Sequence, residues 1–139
     1  MYVDTSVFIY AAGGPSQLKA PCLQLLRAGA TGRLSLVTSA EKLREALHRF
    51  RSLRREGELD AVFDAVLAST VAVLPVELDD LLSARYLGRS VPGEVGLSAR
   101  DLVHGAIARR HGLSQIVTTD AGFDHIPGIV RLDPRDIAM

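Results

Sequence analysis

Four carboxylates in this chain stand where the local pattern places the ends of strands or the first turns of helices. They are Asp4, a glutamate in the 41–45 stretch, Asp101 and Asp120. Asp4 directly follows the apolar start Met1-Tyr2-Val3, and Asp120 directly follows the run Gln115 to Thr118. Asp101 lies three residues after Ser98, which is capping-box spacing with Asp in the usual Glu or Gln place. Each has an ordinary explanation, since aspartate after a strand is a frequent helix cap, and Glu41 and Glu45 can pair with Lys42 and Arg49 on a solvated face. Converging, four carboxylates would repel one another strongly. A hard divalent cation resolves that repulsion, and an oxygen-only donor set favours Mg²⁺ or Mn²⁺ over zinc. Phosphoryl transfer is the chemistry such a site serves best, because the cation acidifies water and neutralises charge on phosphate.

The elements that must position these groups alternate along the chain. Strands are expected at Met1 to Val3, Leu34 to Thr38, Val71 to Val76, Gln115 to Thr118 and Ile129 to Leu132, with Val71 to Val76 read as buried. Helices are expected over Ser6 to Ala12, Gln17 to Ala28, Ser39 to about Arg55, Glu58 to Ala68, Leu78 to Leu87 and Ser98 to His111. Gly57 is expected to break the third helix from the fourth. A short helix or turn should follow Asp120, and Gly88 to Gly96, with Pro92, reads as a loop. Apolar strand runs alternating with helices predict an α/β fold, a parallel sheet covered on both faces. Ligands of such sheets bind past the carboxyl ends of the strands, which is where Asp4 and Asp120 fall. In the helix after Ser98, Leu102, Val103, Ala106, Ile107 and Arg110 share one side. Asp101, His104, Gly105 and Ala108 share the other, so the helix is expected to be covered twice. A carboxylate there is costly without a cation or a partner. Leu43, Leu47 and Phe50 mark the core face of the Ser39 helix. Periodicity alone does not choose between Glu41 and Glu45.

Composition narrows the alternatives. The chain has 139 residues, which fits one domain over 1–139. Its apolar fraction of 47% and charged fraction of 23% argue against disorder. Sixteen basic and sixteen acidic side chains cancel, so any nucleic-acid contact must come from a local patch. The densest such patch runs from Lys42 to Arg55, where Arg44, Arg49 and Arg51 are candidates for RNA phosphate contacts. Aromatic residues are 5% and Trp is absent, so stacking on many bases is not expected. The single cysteine, Cys22, excludes an internal disulfide and reads as a small buried hydrophobe. No apolar run is long enough to span a membrane, and the start has no signal-peptide pattern, so the expectation is a cytoplasmic protein. The four histidines, His48, His104, His111 and His125, show no ligand spacing.

The ordered set Val3-Asp4-Thr5-Ser6, Thr38-Ser39 followed by Glu45, Ser98-Ala99-Arg100-Asp101, and Thr118-Thr119-Asp120 followed by Phe123 resembles PIN-domain nucleases. Within them it is similar to VapC-type toxins of toxin–antitoxin pairs. The resemblance runs from Met1 to about Pro134. It implies a three-layer sandwich around a central, mostly parallel five-stranded sheet with the first strand in the middle. It selects Glu45, six residues after Ser39, as the second acid. Asp4, Glu45, Asp101 and Asp120 become the catalytic acids, with Asp4, Asp101 and Asp120 on the metal and Asp124 an optional fifth. Thr5, Ser6 and Thr118 match hydroxyl positions near that metal. The implied activity is RNA hydrolysis by water with Mg²⁺ or Mn²⁺, in a homodimer restrained by an antitoxin. A dehalogenase-like phosphatase also carries an Asp after its first strand but needs another two residues on, where Ser6 stands here. An inert scaffold that binds RNA or protein is the remaining alternative.

Overall fold

The computed structural model describes residues 1–138. Met139, part of the expected 1–139 domain, lies outside them. Five short strands form one sheet: β1 (Tyr2–Val3), β2 (Val37–Ser39), β3 (Ala72–Leu74), β4 (Gln115–Val117) and β5 (Val130–Leu132). Their order is β3-β2-β1-β4-β5 and every pairing is parallel. The first strand is therefore central, as the resemblance implies. Register places Val3 beside Val117, and Asp4 continues the ladder by donating its N–H to the Val117 carbonyl at 3.0 Å.

Six helices cover the sheet: α1 (Thr5–Ala12), α2 (Lys19–Ala30), α3 (Ala40–Ser52), α4 (Glu56–Ser69), α5 (Leu78–Ser90) and α6 (Ala99–Arg110). Successive residues of a strand point to opposite faces, and β1 divides the core accordingly. Val3 packs with Val7, Phe8, Leu25, Phe50, Val62 and Val66 of α1 to α4. Tyr2 packs with Leu87, Ile107, Ile116 and Ile126 on the face covered by α5 and α6. The three-layer arrangement follows directly. The covering of α6 on two sides is also as expected, since His104, Gly105, Ala106, Ile107 and Ala108 are all buried. A Cβ on Gly105 would stand 2.9 Å from Ile126 Cδ1, so any larger residue there would require Ile126 to shift. Gly112, at φ +67°, turns the chain out of α6 in a backbone region that favours glycine.

Several boundaries differ from the sequence reading. The break between α3 and α4 falls at Leu53 to Arg55, where Arg54 takes φ +52°, and not at Gly57. Gly57 sits in the first turn of α4, where glycine costs little because the helix ladder has barely begun. β2 lies later than expected, at Val37–Ser39 and not Leu34 to Thr38. β3 is shorter and only half-buried, with Val71 and Val76 exposed, because the strand order puts it at the sheet edge. α5 continues past Leu87 through Gly88 to Ser90, and the following loop holds a 3-10 turn at Gly93–Val95.

Candidate active site

Past the carboxyl ends of β1, β2 and β4 lies an open groove of about 690 Å³. Asp4, Glu45, Asp101 and Asp120 all line it, together with Thr5, Ser6, Lys42, Arg49 and Arg100. The four acids named from sequence thus share one surface. Among the described residues, however, no three of the His, Cys, Asp and Glu side chains stand close enough to hold a single ion as they are.

Asp4 forms the floor. It precedes α1 as an N-cap residue would, yet its side chain makes no capping bond. Its oxygens accept instead from Thr118 Oγ1 at 2.7 Å, from Ser6 Oγ at 2.9 Å and from Lys42 Nζ at 2.7 Å. Burial pushes the Asp4 carboxyl up, but the Lys42 ammonium and the three hydrogen bonds outweigh it and hold its pKa at about 2. Asp4 is thus an anion throughout the physiological range. Thr118 is buried beneath it and anchors the carboxylate from β4. Thr5 turns away from Asp4 and donates to the Lys42 carbonyl at 3.3 Å.

Glu45, not Glu41, faces the groove. Glu41 forms an ion pair with Arg44 on the outside of α3. Glu45 accepts from His104 Nε2 at 2.8 Å and lies 3.5 Å from Lys42 Nζ. Burial raises its pKa, and the His104 hydrogen bond and the Lys42 charge reverse that to a net lowering. His104 is fully buried, and burial holds its imidazole below the ordinary value, hence neutral at pH 7. Its partners then fix the protons. A carboxylate only accepts, so Nε2–H donates to Glu45 and Nδ1 accepts from Tyr2 Oη at 2.9 Å. Tyr2 Oη in turn meets Ser39 Oγ at 2.7 Å. A chain of side chains therefore runs from Ser39 through Tyr2 and His104 to Glu45.

Asp101 and Asp120 combine a place in the groove with capping. Asp101 Oδ2 accepts the Ser98 N–H at 3.0 Å, while Ser98 Oγ accepts the Asp101 N–H, the capping box expected from spacing. Asp120 Oδ1 accepts the Gly122 N–H at 2.9 Å. Neither is sealed off from solvent. Other candidates fall elsewhere. Asp124 pairs with Arg131 at 3.0 Å outside the groove, and Arg44 and Arg51 line a separate depression on α3. Arg49 does line the groove. Sequence reasoning expected Lys42 to pair with Glu41 or Glu45 on a solvated face; it does approach Glu45, but it is buried and also holds Asp4. Sequence reasoning missed His104, and Arg100, which lines the groove.

The four acids offer only oxygen donors; His104 Nε2 is engaged with Glu45 and the only cysteine is in the core, while His48 also lines the groove. Ionised carboxylates on an accessible wall fit a hard divalent cation.

A parallel sheet ordered 3-2-1-4-5, with carboxylates gathered beyond its central strands, defines the class of α/β protein to which this chain belongs. The PIN domain family matches residues 1–129. Ribonuclease VapC13 of Mycobacterium tuberculosis is 35% identical over 130 residues, covering 94% of this chain and 97% of that one. Ribonuclease VapC23 of the same species is 38% identical over 125 residues, covering 90% and 93%. Among solved structures, VapBC2 from Rickettsia felis bound to a DNA fragment from its promoter superposes with a TM-score of 0.71 at 16% identity, over 94% of this chain and 96% of that one. The chain is a member of the PIN-domain family, and within it of the VapC group.

Proposed function

We propose that this protein is a metal-dependent endoribonuclease, the toxin of a toxin–antitoxin pair, formed by one PIN domain. The observation that carries the reading is the ionised Asp4, largely enclosed but open to the groove, sharing it with Glu45, Asp101 and Asp120. Similarity to ribonucleases along nearly the whole chain supports the activity. Asp4, Asp101 and Asp120 would hold Mg²⁺ or Mn²⁺, which on binding acidifies water and neutralises charge on the scissile phosphate. Glu45, oriented by His104, accepts the proton of the attacking water. Thr118 and Ser6 keep the Asp4 oxygens in place. Arg49 and Arg100, exposed on the groove walls and without an ion pair among the described residues, take the flanking phosphates. Likeness to toxin–antitoxin complexes, such as the one from Klebsiella pneumoniae, supports an antitoxin partner, and a homodimer is what the family resemblance implies. No helix among the described residues is long and apolar enough to cross a membrane.

The test is cleavage of a cellular RNA pool by purified protein freed of any partner, with Mg²⁺, Mn²⁺ or EDTA, beside Asp101→Asn. Discrete fragments that need metal and vanish in the variant support the reading. Equal behaviour of variant and wild type, or indifference to EDTA, would leave the inert scaffold in its place.

A further inference from the structure

Resting on that reading, we propose that Lys42 is a built-in counter-ion of the acidic site, occupying Asp4 when no divalent cation is bound and leaving it when one binds. Three observations converge on this. The first is geometric. Lys42 is only 4% exposed, and its ammonium lies 2.7 Å from Asp4 and 3.5 Å from Glu45, inside the groove that a cation would enter. A divalent ion drawing on the Asp4 oxygen that Lys42 now holds competes with it directly.

The second is the lysine's place in α3. Ser39 caps this helix and accepts the Lys42 N–H at 3.4 Å, so Lys42 is the third residue of the first turn. That position favours Glu or Gln, which would close a capping box, and the positive end of the helix dipole disfavours a cation there. The residue is wrong for its helix and right for the acids. Its backbone is also fixed, by Ser39 on the N–H and Thr5 on the carbonyl. Only the four-carbon stem is left to move.

The third is the choice of cation. Of the sixteen basic side chains, two are lysines, Lys19 and Lys42, and the rest are arginines. A guanidinium clamps a carboxylate through two fixed bonds, whereas an ammonium is a point charge on a flexible stem. A counter-ion that must yield to another cation calls for the second. Without any cation, Asp4 and Glu45 would be like charges in a partly dry pocket. With both cations at once, the metal and the ammonium would repel.

The experiment uses the full chain and Mn²⁺, with bound metal read from the loss of the free-ion electron paramagnetic resonance signal. In parallel, amines are acetylated with an N-hydroxysuccinimide ester and quantified by peptide mass spectrometry, Lys19 serving as the internal control. Lys42 acetylation is expected to rise about tenfold with Mn²⁺, along the same saturation curve as metal binding, while Lys19 stays level. Lys42→Met, which keeps most of the stem, is expected to bind Mn²⁺ about tenfold more tightly. Mn²⁺ binding with Lys42 protection unchanged would overturn the inference and leave the nuclease reading standing. Failure of Mn²⁺ to bind wild type and Lys42→Met alike would remove the metal-dependent reading itself, and this inference with it. Wild-type labelling decides the matter even where Lys42→Met does not fold.

Discussion

Two aspartates in this molecule, Asp80 buried and Asp4 largely enclosed, are neutralised in opposite ways. Asp80, 1% exposed at the start of α5, receives Arg110 Nε at 2.7 Å and Nη2 at 3.0 Å from α6. It also accepts the Glu77 N–H at 2.8 Å, and its side chain is closed to solvent. Asp4 receives a lysine, two hydroxyls and an open groove. The first is a rivet between two helices, with no side open to anything else. The second is satisfied on one side and presented to solvent on the other. Burial of charge alone therefore does not mark a site. What marks it is a largely enclosed anion that still opens onto a groove, and whose cation is of the kind that can move.

The sharpest way to break this comparison is to remove one member of each cluster. Asp80→Ala loses the clamp and the capping bond together, and is expected to cost about 3 kcal/mol. Added Mg²⁺ should restore none of it in a denaturant titration. Lys42→Met leaves the Asp4 anion without a cation and is expected to cost about 2 kcal/mol in EDTA. Here Mg²⁺ should restore most of the loss, since a ligand that binds only the folded state stabilises it by mass action. If Mg²⁺ rescues both variants or neither, the two clusters are not different in kind.

Acid gives the next test. Asp4 is held at about 2 in the folded chain against an ordinary 3.8, so the unfolded chain binds its proton first. The stabilisation is full above about pH 4 and is lost as pH falls toward 2, amounting to about 2 kcal/mol. Asp133, which Arg135 also holds at about 2, loses its stabilisation over the same range. His104 acts earlier. Burial holds it neutral when folded, so stability also begins to fall as pH drops below its ordinary 6.5. Denaturation midpoints across pH 2 to 7 should therefore decline in two stages. Asp4→Asn should make the lower stage shallower without abolishing it, and His104→Gln should flatten the upper one. A wild-type slope below pH 4 that persists undiminished in Asp4→Asn would show that Asp133 and the other carboxylates carry it.

Much of this was legible beforehand, for identifiable reasons. Apolar strand runs alternating with helical segments fixed a covered parallel sheet, and that sheet puts the residues after β1 and β4 side by side. Ser98 and Asp101 announce a capping box by spacing, and the box is there. The edge position of β3 was not legible, because β-branched residues such as Val71 and Val73 report strand preference and not strand order. Gly57 misled because a glycine in a first turn and one that ends a helix look alike in sequence. The pairing of Lys42 with a glutamate of its own helix was legible, but its burial against Asp4 was not, because that depends on the angle at which α3 meets β2. The misfit of lysine three residues after a capping serine was the available signal. His104 was one of four unremarkable histidines until the packing of α6 against Tyr2 gave it two partners.

The smallest expected effect concerns Asp124, the acid that the groove leaves out. It is 48% exposed on its side chain and paired with Arg131 at 3.0 Å. Exposed pairs contribute at most about 1 kcal/mol, so Asp124→Ala should shift the denaturation midpoint barely at all. The same substitution should leave RNA cleavage and Mn²⁺ affinity at wild-type levels, where Asp120→Ala, four residues earlier and inside the groove, should weaken both. A loss of cleavage in Asp124→Ala at unchanged stability would mean that the 3-10 turn at Ala121–His125 rearranges to bring a fifth acid inward when substrate or metal is present. The boundary drawn here between the four acids that line the groove and the one bound to Arg131 would then have to move.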